Sequence, residues 1–202
     1  MLEQRSALAT VYKPGRAGVQ AGPALVTLWE RLSRTLVQVC GWPDRFQRLC
    51  PKLESLLSCR MPEDGLRAVS QGQRSIFRVA PERLWVAGPS DDGLLHTFDG
   101  TALGEDAVVT EIGHSRTVVR VAGTGARTLL NRGLPVDLDT TVFPVDAFVQ
   151  SVIHHIPVLV HRVDLDGDGD FDVYVTRDYA VSFWEWLTGA AQSLRCQIRE
   201  AE

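Results

Sequence analysis

No apolar run in the 202 residues approaches the eighteen or more that a membrane-spanning helix needs. The N-terminus, Met1-Leu-Glu-Gln-Arg, lacks the charged-then-apolar order of a secretory signal, so a soluble, cytoplasmic protein is expected. Cysteine is scarce. Cys40, Cys50, Cys59 and Cys196 form no Cys-x-x-Cys pair and no regular framework, which argues against a zinc knuckle or a disulfide scaffold and for reduced thiols. An excess of basic charge is missing as well: 21 Lys and Arg stand against 25 Asp and Glu, for a net charge of -4. The cations are scattered, so no footprint for a nucleic-acid backbone exists. Low-complexity stretches and long linkers are absent, apart from a Gly- and Pro-containing tail over residues 1–23, expected to be flexible.

What is present is apolar content, 45% of the chain, enough to bury a core in a single domain over residues 24–202. The clearest order lies in the last ninety residues. The run Arg116-Thr-Val-Val-Arg-Val-Ala122 is rich in β-branched residues and reads as a strand; Gly123-Thr-Gly-Ala126 then opens a short helix with Ala126, Leu129 and Leu130 on one side. Residues 147–154 read as a strand, Pro157 interrupts, and residues 158–163 read as the next. Residues 164–170 read as a turn, and Phe171, Val173 and Val175 alternate with Asp172, Tyr174 and Thr176 on an expected returning strand. From Asp178, a good N-cap, the residues Ala180, Phe183, Trp184, Leu187, Ala190, Ala191 and Leu194 fall at helical spacing.

The first hundred residues are less legible. Leu25, Leu28, Trp29, Leu32, Leu36 and Val39 fit a helical stripe, yet residues 24–29 and 35–42 also fit two strands. A helix capped by Asp44 is expected to follow, with Phe46, Leu49, Leu53, Leu56 and Leu57 inward and Pro51 kinking or restarting it. Residues 75–80 and 83–87 read as strands, and Asp91-Asp92 as a cap for a short helix over Leu94, Leu95 and Phe98. Strands and helices thus interleave twice. The expected fold class is α+β, with a ferredoxin-like element in each half, residues 24–112 and 113–202.

Four constellations could carry chemistry. Asp164, Asp166, Asp168, Gly169 and Asp172 have the alternating carboxylates and the turn glycine of a calcium loop, but position twelve is Val175 rather than a glutamate; the same residues equally supply a solvated hairpin tip. Gly123-Thr-Gly125 lies between a strand and a helix, the setting of a dinucleotide loop, but Thr128 occupies the third glycine position, and a sharp backbone turn explains both glycines. His114-Ser115 beside Arg116, and His154-His155 with His161, invite acid-base or metal readings. Adjacent histidines on a strand would face opposite sides, so structural or interface roles are expected for them, His155 and Arg116 included. Trp186 falls at the margin of the apolar stripe that Trp184 centres, where a large aromatic suits a partner surface. No catalytic trio can be assembled.

Taken together, several words of the chain carry a family likeness: Gly113-His-Ser-Arg-Thr-Val-Val-Arg-Val-Ala-Gly123, Gly125-Ala-Arg with Leu129-Leu, Leu134-Pro-Val-Asp-Leu-Asp139, Val142-Phe-Pro144, His155-Ile-Pro-Val-Leu159, Phe171-Asp-Val-Tyr-Val175 and Trp184-Glu-Trp-Leu187. With them the chain resembles the gamma subunit of heterotetrameric sarcosine oxidase, a family related to the folate-binding T-protein of the glycine cleavage system. The resemblance spans residues 24–194. It favours the two-strand reading of residues 24–42 and a fold like the folate-binding domain of aminomethyltransferases. It further implies a non-catalytic chain with no cofactor or metal of its own, assembled with alpha, beta and delta subunits. Those subunits are expected to carry FAD, FMN, NAD, tetrahydrofolate and zinc. Two other functions stay open: a stand-alone folate-dependent aminomethyltransferase and a calcium-binding interaction module.

Overall fold

β-Branched and alternating runs become strands throughout the computed structural model, which describes residues 5–32, 34–90, 92–98, 103–163 and 169–202. In chain order the elements are β1 (Gly15–Gly18), β2 (Val26–Glu30), β3 (Arg34–Gly41), α1 (Phe46–Leu57), β4 (Val69–Gln71), β5 (Arg74–Ala80), β6 (Arg83–Pro89), α2 (Leu94–Thr97), β7 (Ala107–Glu111), β8 (Arg116–Ala122), α3 (Ala126–Leu130), β9 (Phe148–Ile153), β10 (Ile156–Val163), β11 (Asp170–Thr176), α4 (Ala180–Ala190) and β12 (Arg195–Ile198). Described residues up to 32 and from 114 onward form one unit, and those from 34 to 113 form the other.

The continuous unit is a five-stranded sheet ordered β4-β5-β6-β3-β7, antiparallel at every step. Without the edge strand β4, the succession β3-α1-β5-β6-α2-β7 has the ferredoxin-like strand order. Its core joins Val37, Val39, Ile76, Leu84 and Val86 of the sheet to Phe46, Leu49, Leu53 and Leu57 of α1. That helix runs through Pro51 without a break. Asp44 does not cap it: Arg45 stands at the N-cap with no side-chain bond, and the Trp42 carbonyl accepts the Arg45 and Phe46 N–H groups instead. The Asp92 carboxylate does accept the Leu94 N–H at the start of α2, while Asp91 lies outside the described residues.

The discontinuous unit holds a seven-stranded sheet ordered β1-β12-β2-β8-β11-β10-β9. The succession β8-α3-β10-β11-α4-β12 is again ferredoxin-like, with one difference: β2 sits between β8 and β12, antiparallel to the first and parallel to the second. Residues up to Leu32 therefore belong with the C-terminal half rather than with the half expected for residues 24–112. The expected flexible tail is also corrected, because β1 pairs with β12 and Leu8 is fully buried in the core. That core lies on the helix side of the sheet: Val119, Val121, Val158, Val160, Phe171, Val173 and Val175 meet Ala126, Leu129, Leu130, Phe183, Trp184 and Leu187.

Two local expectations fail for identifiable reasons. Pro157 does not interrupt a strand but lies inside β10. The ladder to β9 runs on to Ile156, whereas the ladder to β11 stops at Val158, because the missing N–H of Pro157 falls on the β11 side. Asp178 does not cap α4; it sits within a 3-10 turn, Arg177–Tyr179, that leads into the helix.

Candidate functional site

The face of the seven-stranded sheet opposite α3 and α4 carries a row of polar and charged residues. Register places Trp29 of β2 beside Arg120 of β8, Arg120 beside Asp172 of β11, and Asp172 beside His161 of β10, a row across four strands. The Arg120 guanidinium donates from Nε and Nη2 to the two Asp172 oxygens at 2.5 and 2.9 Å, a fork matched to the carboxylate. Arg31 Nη1 approaches Oδ2 at 3.4 Å. Side-chain exposure is 4% for Arg120 and 2% for Asp172, so water does not share the pair. Burial works against the Arg120 charge, but the Asp172 bond and charge outweigh it and raise its pKa above the ordinary value. The Trp29 ring lies 5.7 Å from the Arg120 guanidinium and 4.6 Å from that of Arg199.

This arrangement settles what Asp172 does. Both its oxygens serve Arg120, so it is not a calcium ligand; Asp164, Asp166 and Asp168 lie outside the described residues. The dinucleotide reading fails on geometry. The Gly123 N–H donates to Asp170 Oδ1 and the Gly125 N–H to the Leu25 carbonyl, so both amides serve the protein. A Cβ on Gly123 would come within 2.6 Å of the Leu25 oxygen, and one on Gly125 within 2.8 Å of Val26 Cγ2. The glycines admit β2 against the loop, and α3, at five residues, is short for a phosphate-binding helix.

The three residues expected at an interface are not gathered in one place. Arg116 opens β8, where its Nη1 donates to the Ser115 carbonyl and hydroxyl, and burial pulls its pKa down. His155 is exposed in the turn joining β9 and β10, at the same end of the sheet but two strands away. It is not on a strand: His154 and His155, at φ 47° and 70°, are the two central residues of a tight hairpin with a primed-type twist, and their rings lie 5.7 Å apart. His161 is buried elsewhere on β10, with Nε2 3.6 Å from Asp146 Oδ1. Trp186 is half-buried on the helix side; its ring covers Gly133, where a Cβ would lie 2.5 Å from Cζ2, and sits 6.2 Å from Phe183. Among the described residues no group of three or more His, Cys, Asp or Glu side chains is placed to hold a metal, and no helix is long and apolar enough to cross a membrane.

Sequence reasoning missed two features. One is the Arg120–Asp172 pair, whose signal was a charged residue of matching parity in each of two β-branched runs. The other is the N-terminal segment, where Leu8 enters the core and the Tyr12 ring stacks on Trp184 with centroids 4.8 Å apart.

The model of the family described as "Sarcosine oxidase, gamma subunit family" matches residues 54–193. The chain belongs to this family. Among curated relatives, it is 23% identical over 116 residues to the sarcosine oxidase subunit gamma of Corynebacterium sp. (strain U-96), covering 57% of this chain and 55% of that one. It is 25% identical over 88 residues to the subunit gamma of Arthrobacter sp., covering 44% and 43%. The chain thus spans about half the length of the curated relatives it matches. In fold it is similar to a chain of heterotetrameric sarcosine oxidase from Corynebacterium sp. U-96 in complex with pyrrole 2-carboxylate, at TM-score 0.79 and 22% identity, over 94% of this chain and 96% of that one. It also shares the fold of glycine cleavage system aminomethyltransferase T from Bartonella henselae, at TM-score 0.62 and 15% identity, over 88% of this chain and 48% of that one.

In this gamma-family chain the quoted words have structural duties. Leu134 and Leu138 are buried in the core; Asp139 accepts the Thr141 N–H and hydroxyl, which, with the Arg127 charge beside it, holds its carboxyl below the usual range. Phe143 packs near Phe171, and the Phe143 carbonyl accepts from Arg162 Nη1 at 2.8 Å. All four cysteines are free.

Proposed function

We propose that this chain is a non-catalytic gamma subunit of a complex like heterotetrameric sarcosine oxidase. The family match over residues 54–193 carries the reading, and the fold likeness over nearly the whole chain supports it. The complex oxidises an N-methyl amine such as sarcosine, and the one-carbon unit passes to tetrahydrofolate or leaves as formaldehyde. The flavins FAD and FMN, NAD, tetrahydrofolate and zinc belong to the alpha, beta and delta partners. This chain contributes shape: it docks on its partners and helps enclose the route between their active sites, so that the reactive imine is kept from water.

The chemistry of the chain's own residues agrees with such a role. The buried Arg120–Asp172 fork binds itself closed, and the Gly123 loop spends its amides on Asp170 and Leu25. Neither is arranged to move a proton or to hold a phosphate. The test is expression of the chain alone and together with the neighbouring reading frames, followed by purification and assay of amine oxidation. Co-purification in equal amounts with a flavin-bearing oxidase, with activity only in the assembled sample, is the expected result. Turnover by the chain alone, or stoichiometric flavin, nucleotide or folate bound to it alone, would overturn the proposal and favour the aminomethyltransferase reading.

A further inference from the structure

The five-stranded sheet ends on β7, beyond which no further strand lies among the described residues. The Ile112 N–H donates to the Leu36 carbonyl, and register sets Thr110 beside Gln38 and Val108 beside Cys40. Alternation along an antiparallel ladder therefore turns the backbone groups of Val108 and Thr110 toward β3, and those of Ala107 and Val109 outward. Nothing in the strand defends that edge. β7 pairs with β3 without a bulge, holds no Pro, Gly or Lys, and leaves Val108 54% exposed. The opposite edge, β4, offers only three residues. At the start of the β7 edge lies a groove of about 380 Å³ lined by Trp42, Pro43, Asp44, Arg45 and Glu105. Trp42 is fixed there, its Nε1 donating to the Glu105 carbonyl at 3.0 Å, yet it remains 52% exposed. The Glu105 and Asp44 side chains are 97% and 77% exposed, and they approach Arg45 only at 4.0 and 3.9 Å. Asp106, next in the chain, is held by Lys52.

We propose that the outer edge of β7 receives a further strand from a partner subunit, an extended basic segment that lays a Lys or Arg over Trp42 between Asp44 and Glu105. The outward backbone groups of Ala107 and Val109 bind any extended chain, whatever its sequence. Selection comes from the groove, where the indole face attracts a cation and two exposed carboxylates pair with it. A second copy of this chain is the poorer occupant. Residues 104–111 carry Glu105, Asp106 and Glu111 and no cation, so self-pairing along this edge would set acid near acid. This docking role presupposes the gamma-subunit reading, in which the chain joins its complex through surface alone.

Hydrogen exchange of the full chain, alone and co-expressed with the products of the neighbouring reading frames, tests the edge directly. In the assembled sample the Ala107 and Val109 amides should exchange at least about tenfold more slowly than in the chain alone, because ladder bonds form there. Trp42→Ala should weaken assembly about thirtyfold or more, the scale of an interface anchor. Glu105→Lys should weaken it about two- to tenfold, and less at high salt. Both side chains are exposed, so neither variant should melt much below the parent chain. A complex that forms without slowing those two amides, or that holds both variants as tightly as the parent, would overturn the docking site and leave the gamma-subunit reading standing. Slowing that appears in the chain alone and grows with its concentration would mean a second copy, and would overturn the partner strand. Failure to form a complex with any neighbouring subunit would overturn both.

Discussion

Asp172→Asn is the substitution that most directly tests how the seven-stranded sheet is held. The amide keeps the shape of the carboxylate but loses its charge, and Arg120, at 4% side-chain exposure, is left as a buried cation without the carboxylate it forks onto. Arg31 does not share that fate, because its side chain is 20% exposed and can turn to water. Removing one partner of a buried pair costs about 3–5 kcal/mol, and for a chain of this length each kcal/mol is about 2–4 °C in Tm. Urea unfolding followed by circular dichroism should therefore show a much lower midpoint with an unchanged slope. The double variant Arg120→Met with Asp172→Leu should recover most of the loss, since no charge is then stranded. A cost under about 1 kcal/mol for Asp172→Asn, or a double variant as unstable as the two single changes added together, would refute the reasoning.

Calcium at millimolar concentration should leave Tm unchanged, because Asp172 is committed to Arg120; a melting shift lost in Asp172→Asn would contradict this. Gly133→Ala places a Cβ 2.5 Å from the Trp186 ring, and should cost about 1–3 kcal/mol with a red shift in tryptophan emission as the indole is displaced. Replacing His154-His155 by Asn-Gly should raise stability by about 1 kcal/mol in thermal melts, since both positions have positive φ. Should His155 touch a partner, that same variant would assemble less tightly while melting higher. Burial pushes the Cys196 thiol up to about 11 from 9.0, which lowers its thiolate fraction near neutral pH about a hundredfold. Alkylation at pH 8 followed by mass spectrometry should mark Cys196 only after unfolding.

Legibility tracked the source of each signal. The β8 and β11 runs, the α4 stripe and the short helix after Gly123 were all visible, because period-2 and period-3.6 patterns are local. The two ferredoxin-like successions followed from element order. What escaped was nonlocal. Nothing around Val26 or Leu28 says that β2 will enter between β8 and β12, since an insertion into a sheet is decided by strands far along the chain, here Arg116–Ala122 and Arg195–Ile198. The N-terminal segment reads as a tail because its glycines and Pro14 outweigh two anchors, Leu8 and Tyr12, whose partners lie at the far end of the chain. Pro157 misled because a proline's cost depends on which neighbour its absent N–H faces. The Arg120–Asp172 pair was half visible: each residue broke an apolar pattern, but register alone could put them opposite each other.

The placement of β12 between β1 and β2 also imposes an order on biosynthesis. β1 and one edge of β2 cannot be paired until β12, Arg195–Ile198, has been made, whereas the five-stranded unit is contiguous and has all its strands by residue 111. The contiguous unit is thus free to fold during translation; β2 can then meet β8, while β1 waits for β12.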